Sequence, residues 1–296
     1  MKIWITGCAG FLGGRLAQRF SSAGHEVVGL SRRACAIASR SVKIDLASSS
    51  AQAELEALGL ESGWPDVVIH AASKQPGSKA LSEYVKSNVL ATANLLDALR
   101  EAPPEKLIYT STLSVYSEPG ANPVGETAAT ADASPYAATK RWAEQMVKTF
   151  QDRSRVVILR LPSLYGAGQV DSFIDGLARV VSQGDPVELF ARGCLVRDAL
   201  YVEDVVEAIA SCVTRPLQSE ATIINLGCGR RVTTSEYAEA LVKAWESESI
   251  IVPVDCPVSQ FDLYADITKA RRLLGFNPRS LEDSMREYRD ELRAQS

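Results

Sequence analysis

Histidine is almost missing from this chain: His25 and His70 are the only two in 296 residues. A His-based metal site or a Ser-His-Asp triad has little to work with, so zinc and serine hydrolases are disfavoured first and no metal is expected. No apolar run approaches the roughly 18 to 20 residues that span a bilayer, so no membrane partner is expected. The six cysteines (Cys8, Cys35, Cys194, Cys212, Cys228, Cys256) are scattered without metal-ligand spacing and read as reduced cytosolic thiols. Basic residues number 32 against 36 acidic, a net charge of -4, which gives no general attraction to nucleic acid. Met1 leads straight into a strand pattern, without the basic and apolar regions of a signal peptide, so a cytoplasmic location is expected.

What is present is alternation. Apolar strand patterns at 3–6, 26–30, 65–70, 106–111 and 156–161 alternate with helix-like stretches at 12–22 and 84–100 and with the helix carrying Tyr136 and Lys140. This is the pattern of successive βαβ units, and it predicts an α/β fold: a Rossmann-type doubly wound parallel sheet. The last third mixes helices near 172–183, 234–246 and 268–274 with short strands at 187–190 and 222–226. We read it as a smaller, interwoven C-terminal substrate-binding region, with the dinucleotide domain over 1–165 and the substrate region mainly over 166–296. The Ala/Ser-rich stretch 34–50 reads as a surface loop or helix.

Gly7, Gly10 and Gly13 fall directly after the first strand and before an amphipathic helix. Glycines there permit a tight turn and let the backbone approach a pyrophosphate at the helix N-terminus, with Phe11 and Leu12 in the same loop. At the end of the second strand, an Asp or Glu that would hold the ribose of NAD is missing; Ser31, Arg32 and Arg33 stand there and suit a 2′-phosphate. NADP is therefore the expected cofactor, with NAD as the alternative. Asp45 and Leu46 are candidates for the adenine edge.

Ser134-Pro135 signals a helix start, and Tyr136 and Lys140 at i, i+4 share one helical face. Lowering a tyrosine pKa from 10 to about 7 requires roughly 4 kcal/mol, which an ammonium some 4 Å away supplies at an effective dielectric near 20. Tyr136 can then exchange a proton with a carbinol or ketone oxygen while hydride moves to or from a nicotinamide. A third hydroxyl belongs at the carboxyl end of the strand 107–110, where Ser111 and Thr112 both stand.

These residues resemble the extended short-chain dehydrogenase/reductase family, in particular its nucleotide-sugar epimerase, dehydratase and reductase branch. The resemblance runs almost end to end: Thr6-Gly7-x-x-Gly10-Phe11-x-Gly13, His70-Ala71-Ala72, Asn88, Ser111-Thr112-x-x-Val115-Tyr116, Tyr136-x-x-x-Lys140, Arg160 with Tyr165-Gly166, Arg197-Asp198-x-x-Tyr201-Val202-x-Asp204, and Leu274-Gly275-Phe276-x-Pro278 occur in family order. It implies Thr112, Tyr136 and Lys140 as the catalytic set. Ala71, Ala72, Ser73, Asn88 and Pro162 join the cofactor contacts, and Ser111, Thr112, Ser163 and Arg197 contact substrate. Arg197 would grip a nucleotide diphosphate, unless it is held in a structural ion pair with an acidic neighbour. A homodimer through the helices near 84–100 and 136–150 is also implied.

Two departures limit the carry-over. Dehydratases of this branch have Asp-Glu after the catalytic Thr, whereas Leu113-Ser114 follows here and supplies neither acid nor base. Ser163 stands where many nucleotide-sugar members have an Asn. The leading expectation is an NADPH-dependent 4-ketoreductase of a nucleoside-diphosphate 4-keto-sugar, because the Arg32-Arg33 turn suggests a consumed reductant. The alternatives are a nucleoside-diphosphate-sugar 4-epimerase, an NADP-dependent reductase of a non-nucleotide carbonyl compound, and a non-catalytic NADP-sensing protein.

Overall fold

A computed structural model describes residues 1–77, 80–117, 122–170, 172–217, 221–255 and 262–295. They form two compact units, Met1–Ser117 with Thr130–Arg160 and Val206–Ile224, and Glu118–Ala129 with Leu161–Val205 and Asn225–Ser296.

The first unit is built on a seven-stranded sheet. Its strands are β1 (Lys2–Thr6), β2 (Glu26–Ser31), β3 (Arg40–Lys43), β4 (Val67–His70), β5 (Lys106–Thr112), β6 (Arg155–Leu161) and, late in the chain, Thr222–Asn225. From one edge the order is Thr222–Asn225, β6, β5, β4, β1, β2, β3. Pairs β1–β2, β1–β4, β2–β3 and β4–β5 all run parallel. β4 and β5 are buried at every position, as parallel strands covered on both faces must be. The order reverses between β1 and β4, so the crevice beyond their carboxyl ends, at Gly7 and Ala71, is where a doubly wound sheet receives its ligand.

Helices supply the two covers. In α1 (Phe11–Ser22), Leu16, Ala17 and Phe20 form the buried stripe, and Gly10 caps it without a side-chain hydrogen bond. α2 (Ala51–Ser62) packs against the segment that runs from α3 (Leu81–Tyr84) through a π-helical turn, Val85–Leu90, into α4 (Ala91–Ala98). α5 (Pro135–Lys148) starts where the sequence signals: the Ser134 hydroxyl accepts from the Ala137 N–H at 3.1 Å, with Pro135 in the first turn.

The expected fold class is present, with local differences. The 34–50 stretch contains β3, a four-residue edge strand whose burial alternates, too short to show a period in an Ala/Ser-rich context. α2 has no clean apolar stripe, because Leu60 is 81% exposed beside buried Leu55 and Leu58, and so gives no helical period.

α7 (Val202–Thr214) lies mostly in the first unit, which includes Val206–Ile224. In the second unit, α6 (Phe173–Gln183), α8 (Thr234–Trp245) and α10 (Leu281–Gln295) pack in sequence, with α9 (Thr268–Leu274) before α10. Two short parallel pairs, Ser163–Tyr165 with Ala199–Tyr201 and Val187–Leu189 with Ile251–Pro253, accompany them. The helix at 281–295 is so charged that only Ser284, Met285 and Tyr288 are buried, which is why the sequence pattern does not announce it.

Candidate active site

The glycine loop is held by its own backbone. Gly7 has φ +69°, its N–H donates to the Leu30 carbonyl at 2.8 Å, and Gly10 donates back to the Gly7 carbonyl at 2.8 Å. A Cβ on Gly13 would lie 2.1 Å from the Gly7 carbonyl oxygen, and one on Gly7 would lie 2.9 Å from Ala72 Cα. Side chains would fill this cradle, and their absence leaves the N–H groups at the start of α1 open to an anion. The residues therefore fit a dinucleotide pyrophosphate, with Phe11, Leu12, Ala71, Ala72 and Ser73 half-buried around it.

Behind the loop lies a buried relay. Thr6 Oγ1 accepts from the Ala72 N–H at 3.0 Å, which leaves its own proton for His70 Nδ1 at 2.7 Å. His70 Nε2–H then donates to Thr92 Oγ1 at 2.9 Å, and Thr92 donates on to the Asn88 carbonyl at 2.7 Å. Burial, and secondarily the Lys140 charge, push the imidazole pKa down to about 3, so His70 is a neutral brace. The Asn88 carboxamide is likewise spent on protein: its oxygen accepts from the Lys74 N–H at 2.8 Å and the Ser73 hydroxyl at 3.1 Å, and its nitrogen donates to Thr139 Oγ1 at 3.1 Å. It ties the loop after β4 to α5.

At the ribose end, Ser31 Oγ donates to the Arg33 carbonyl at 2.5 Å, and the Arg33 guanidinium donates to the Ala9 carbonyl at 3.1 Å. Arg32 is exposed, with no ion pair among the described residues. Asp45 is exposed and accepts from the Ala47 N–H, whereas the Leu46 side chain is buried in the core with Trp4 and Leu95. Leu46 thus offers a ligand only its backbone. Cys8 in the glycine loop and Cys35 after β2 are joined as a disulfide, their Cα atoms 6.0 Å apart. This corrects the expectation of reduced thiols at these two positions: a separation of 27 residues hides the fact that both loops leave the carboxyl ends of the neighbouring parallel strands β1 and β2.

The chemistry-bearing residues gather at the end of β5 and the start of α5. Thr112 Oγ1 accepts from the Ser114 N–H at 3.1 Å, donates to Ser114 Oγ at 3.2 Å, and acts on Tyr136 to lower its pKa. Burial raises Tyr136 to about 12, opposed by Thr112 and reinforced by Tyr84, whose ring centroid lies 6.3 Å away. Lys140 is 1% exposed; its Nζ donates to the Thr110 carbonyl at 2.6 Å and sits 4.2 Å over the Tyr109 ring. Burial brings its pKa down to about 7, with Glu144 opposing. The side chains alone therefore do not pre-lower the Tyr136 pKa, contrary to the simple Lys–Tyr estimate. A charged Lys140 is needed, and it is a cation poised at the edge of ionisation.

Ser111 departs from the sequence reading. Its hydroxyl points into the core and donates to Glu144 Oε1 at 2.5 Å, while Thr112, the next residue, faces the other way toward Tyr136. Glu144 was not anticipated. It is 0% exposed and receives Arg160 through both oxygens at 3.0 and 2.8 Å, and Arg160 lies 4.8 Å from the Tyr116 ring centroid. The spacing Tyr136, Lys140, Glu144, one turn at a time along α5, was its signal.

In the second unit, Ser163 is exposed at the start of its strand and Pro162 is half-buried. Arg197 Nε is buried without a hydrogen-bond partner among the described residues, and desolvation alone lowers the guanidinium pKa. No carboxylate described in the structure pairs with it, so the ion-pair alternative finds no support. The neighbouring Asp198 is structural: it accepts from the Cys228 and Ala265 N–H groups, each at 2.9 Å.

This combination of a doubly wound sheet, a glycine cradle and a Thr-Tyr-Lys set defines an extended short-chain dehydrogenase/reductase-type, NAD(P)-dependent epimerase or oxidoreductase. Residues 3–227 match the NAD dependent epimerase/dehydratase family, and the chain belongs to it. A probable UDP-glucuronate 4-epimerase of Rhizobium meliloti is 28% identical over 97% of this chain and 96% of that protein. Among solved structures, MoeE5 in complex with UDP-glucose and NAD superposes with a TM-score of 0.85 at 28% identity, covering 100% of this chain and 99% of that one. The Thermus thermophilus UDP-glucose 4-epimerase complex with NAD gives 0.84 at 26%, covering both chains fully. No helix among the described residues is long and apolar enough to cross a membrane.

Proposed function

We propose that this chain is a 4-epimerase of a UDP-linked sugar. The observation that carries the reading is Thr112 acting on Tyr136, with Lys140 one turn further along α5, in a chain whose full-length relatives include UDP-sugar 4-epimerases. The reductase expectation rested on the arginine turn alone; the relatives favour the epimerase.

A nicotinamide dinucleotide in the glycine cradle would supply a hydride acceptor that returns the hydride. The chain supplies the rest. Tyr136 Oη takes the proton of the sugar C4 hydroxyl and later gives it back to the keto oxygen, and Thr112 orients that oxygen. Lys140, charged, stabilises the tyrosinate. Arg197, free of a carboxylate, is suited to a bidentate grip on the diphosphate, and Ser163 donates a hydroxyl in place of an amide.

For the dinucleotide, solved relatives hold NAD, while Ser31 and exposed Arg32 with no acid at the end of β2 favour a 2′-phosphate. We assign NADP as the better fit to this chain and NAD as the alternative. Val85 and Leu90, with Trp142 on α5, are exposed on the two segments marked for a homodimer, and they support that assembly.

The deciding experiment incubates the protein with UDP-glucose and UDP-glucuronate and separates C4 epimers chromatographically, with NAD and NADP compared. A new isomer of unchanged mass, lost in Tyr136→Phe with dinucleotide binding retained, is the expected result. In a parallel incubation with a UDP-linked 4-keto-sugar and NADPH, a two-mass-unit gain coupled to loss of NADPH would restore the reductase.

A further inference from the structure

The cofactor loop carries a cysteine pair that none of the chemistry above uses. Cys8 lies between Gly7 and Gly10 and is 0% exposed, packed so closely that a Cβ on Gly29 would lie 2.5 Å from its sulfur. Cys35, 5% exposed, follows the Ser31-Arg32-Arg33 turn in a stretch whose neighbours Arg32, Arg33, Ala34, Ala36 and Ile37 are exposed. That stretch is anchored at two further points: the Cys35 N–H donates to Ser41 Oγ at 2.9 Å, and Arg33 reaches the Ala9 carbonyl at 3.1 Å. The two loops so joined are the ones that meet the pyrophosphate and the adenosine ribose of a dinucleotide in this fold.

We propose that Cys8 and Cys35 form a reversible thiol–disulfide site that takes a small-molecule disulfide of the glutathione type and, when oxidised, tightens the dinucleotide site. The coupling to cofactor rests on the dinucleotide reading above. The exchange starts at Cys35, the partner next to exposed chain: its thiolate attacks the small disulfide, whose S–S bond breaks and releases one thiol. Cys8 then displaces the second thiol. One S–S bond forms in the protein, one breaks in the reagent, and the two protons lost from the cysteines end on the two reduced reagent sulfurs. The cross-link closes a loop over a separation of 27 residues, which restricts the unfolded chain. In the folded chain it fixes the glycine loop against the arginine turn before the ligand arrives, so less ordering accompanies binding.

The test equilibrates the wild-type protein in oxidised glutathione or in dithiothreitol. It reads tryptic peptides without reduction, the melting temperature, and NADPH and NADH affinity by fluorescence. In the oxidised sample, peptides 3–15 and 34–40 should appear joined through Cys8 and Cys35. The melting temperature should rise by roughly 5–10 °C, and the dinucleotide should bind roughly three- to tenfold more tightly than in the reduced sample. Cys35→Ser should bind like the reduced protein in both buffers. No joined peptide, or equal affinity in the two wild-type samples, overturns the proposal. Absence of dinucleotide binding in both samples overturns the cofactor reading and with it the coupling, whereas the joined peptide and the melting shift report the thiol site independently.

Discussion

Replacing Lys140 with Met should make the protein more stable at neutral pH while removing its turnover. Lys140 has a free pKa of 10.5 and is brought to about 7, chiefly by burial. Between those values the unfolded chain holds a proton that the folded chain does not, so the wild type gains stability as pH rises from about 7 and levels off above about 10.5. At pH 7 the cost of this buried amine is roughly 4 kcal/mol relative to strongly alkaline solution. The hydrogen bond to the Thr110 carbonyl and the contact with the Tyr109 ring offset roughly 2 to 3 kcal/mol of that. Lys140→Met lacks both terms, so a net gain of about 1 to 2 kcal/mol is expected at pH 7, or roughly 2–6 °C in melting temperature. The gain should shrink as pH rises, change sign between about pH 8 and 9, and be a net loss by pH 10. Thermal melts of both proteins without added dinucleotide, followed by circular dichroism at pH 7 and pH 10, measure this. A melting difference independent of pH would refute the reasoning, since only the titration of Lys140 ties the two conditions together. A stabilised, inactive variant is the expected signature of a residue kept for chemistry.

Glu144→Gln leaves the Arg160 charge unpaired in the core and should cost about 3 to 5 kcal/mol in urea unfolding. The double variant Glu144→Met with Arg160→Met should be less destabilised than the single one, because it removes both charges together. Gly13→Ala places a Cβ against the Gly7 carbonyl and should weaken dinucleotide binding at least roughly tenfold by titration, with an unchanged circular dichroism spectrum. Arg197→Met should raise KM for the UDP-sugar by roughly tenfold or more in steady-state kinetics, with a smaller change in kcat and none in dinucleotide affinity.

Much of the first unit was legible in the sequence because its signals are local. The apolar runs of β1, β4 and β5, the glycine spacing, and the Ser134-Pro135 helix start each determine a conformation within a few residues, and the resulting alternation implies a parallel sheet. The Tyr136 and Lys140 pair was legible for the same reason, since helical periodicity alone puts them on one face.

Only the tertiary structure decided which way the intervening hydroxyls and thiols point and what they meet. Ser111 and Thr112 are chemically alike and adjacent, yet the pleat of β5 sends one to buried Glu144 and the other to Tyr136. Asn88 looks like a ligand contact in sequence, but packing commits its carboxamide to Ser73, Lys74 and Thr139. Cys8 and Cys35 are unremarkable at a separation of 27 residues and become neighbours because β1 and β2 pair in parallel and end together. The Tyr136 and Lys140 pKa values follow from burial, which depends on the whole set of elements packed around α5 and is a quantity that no local pattern of residues carries.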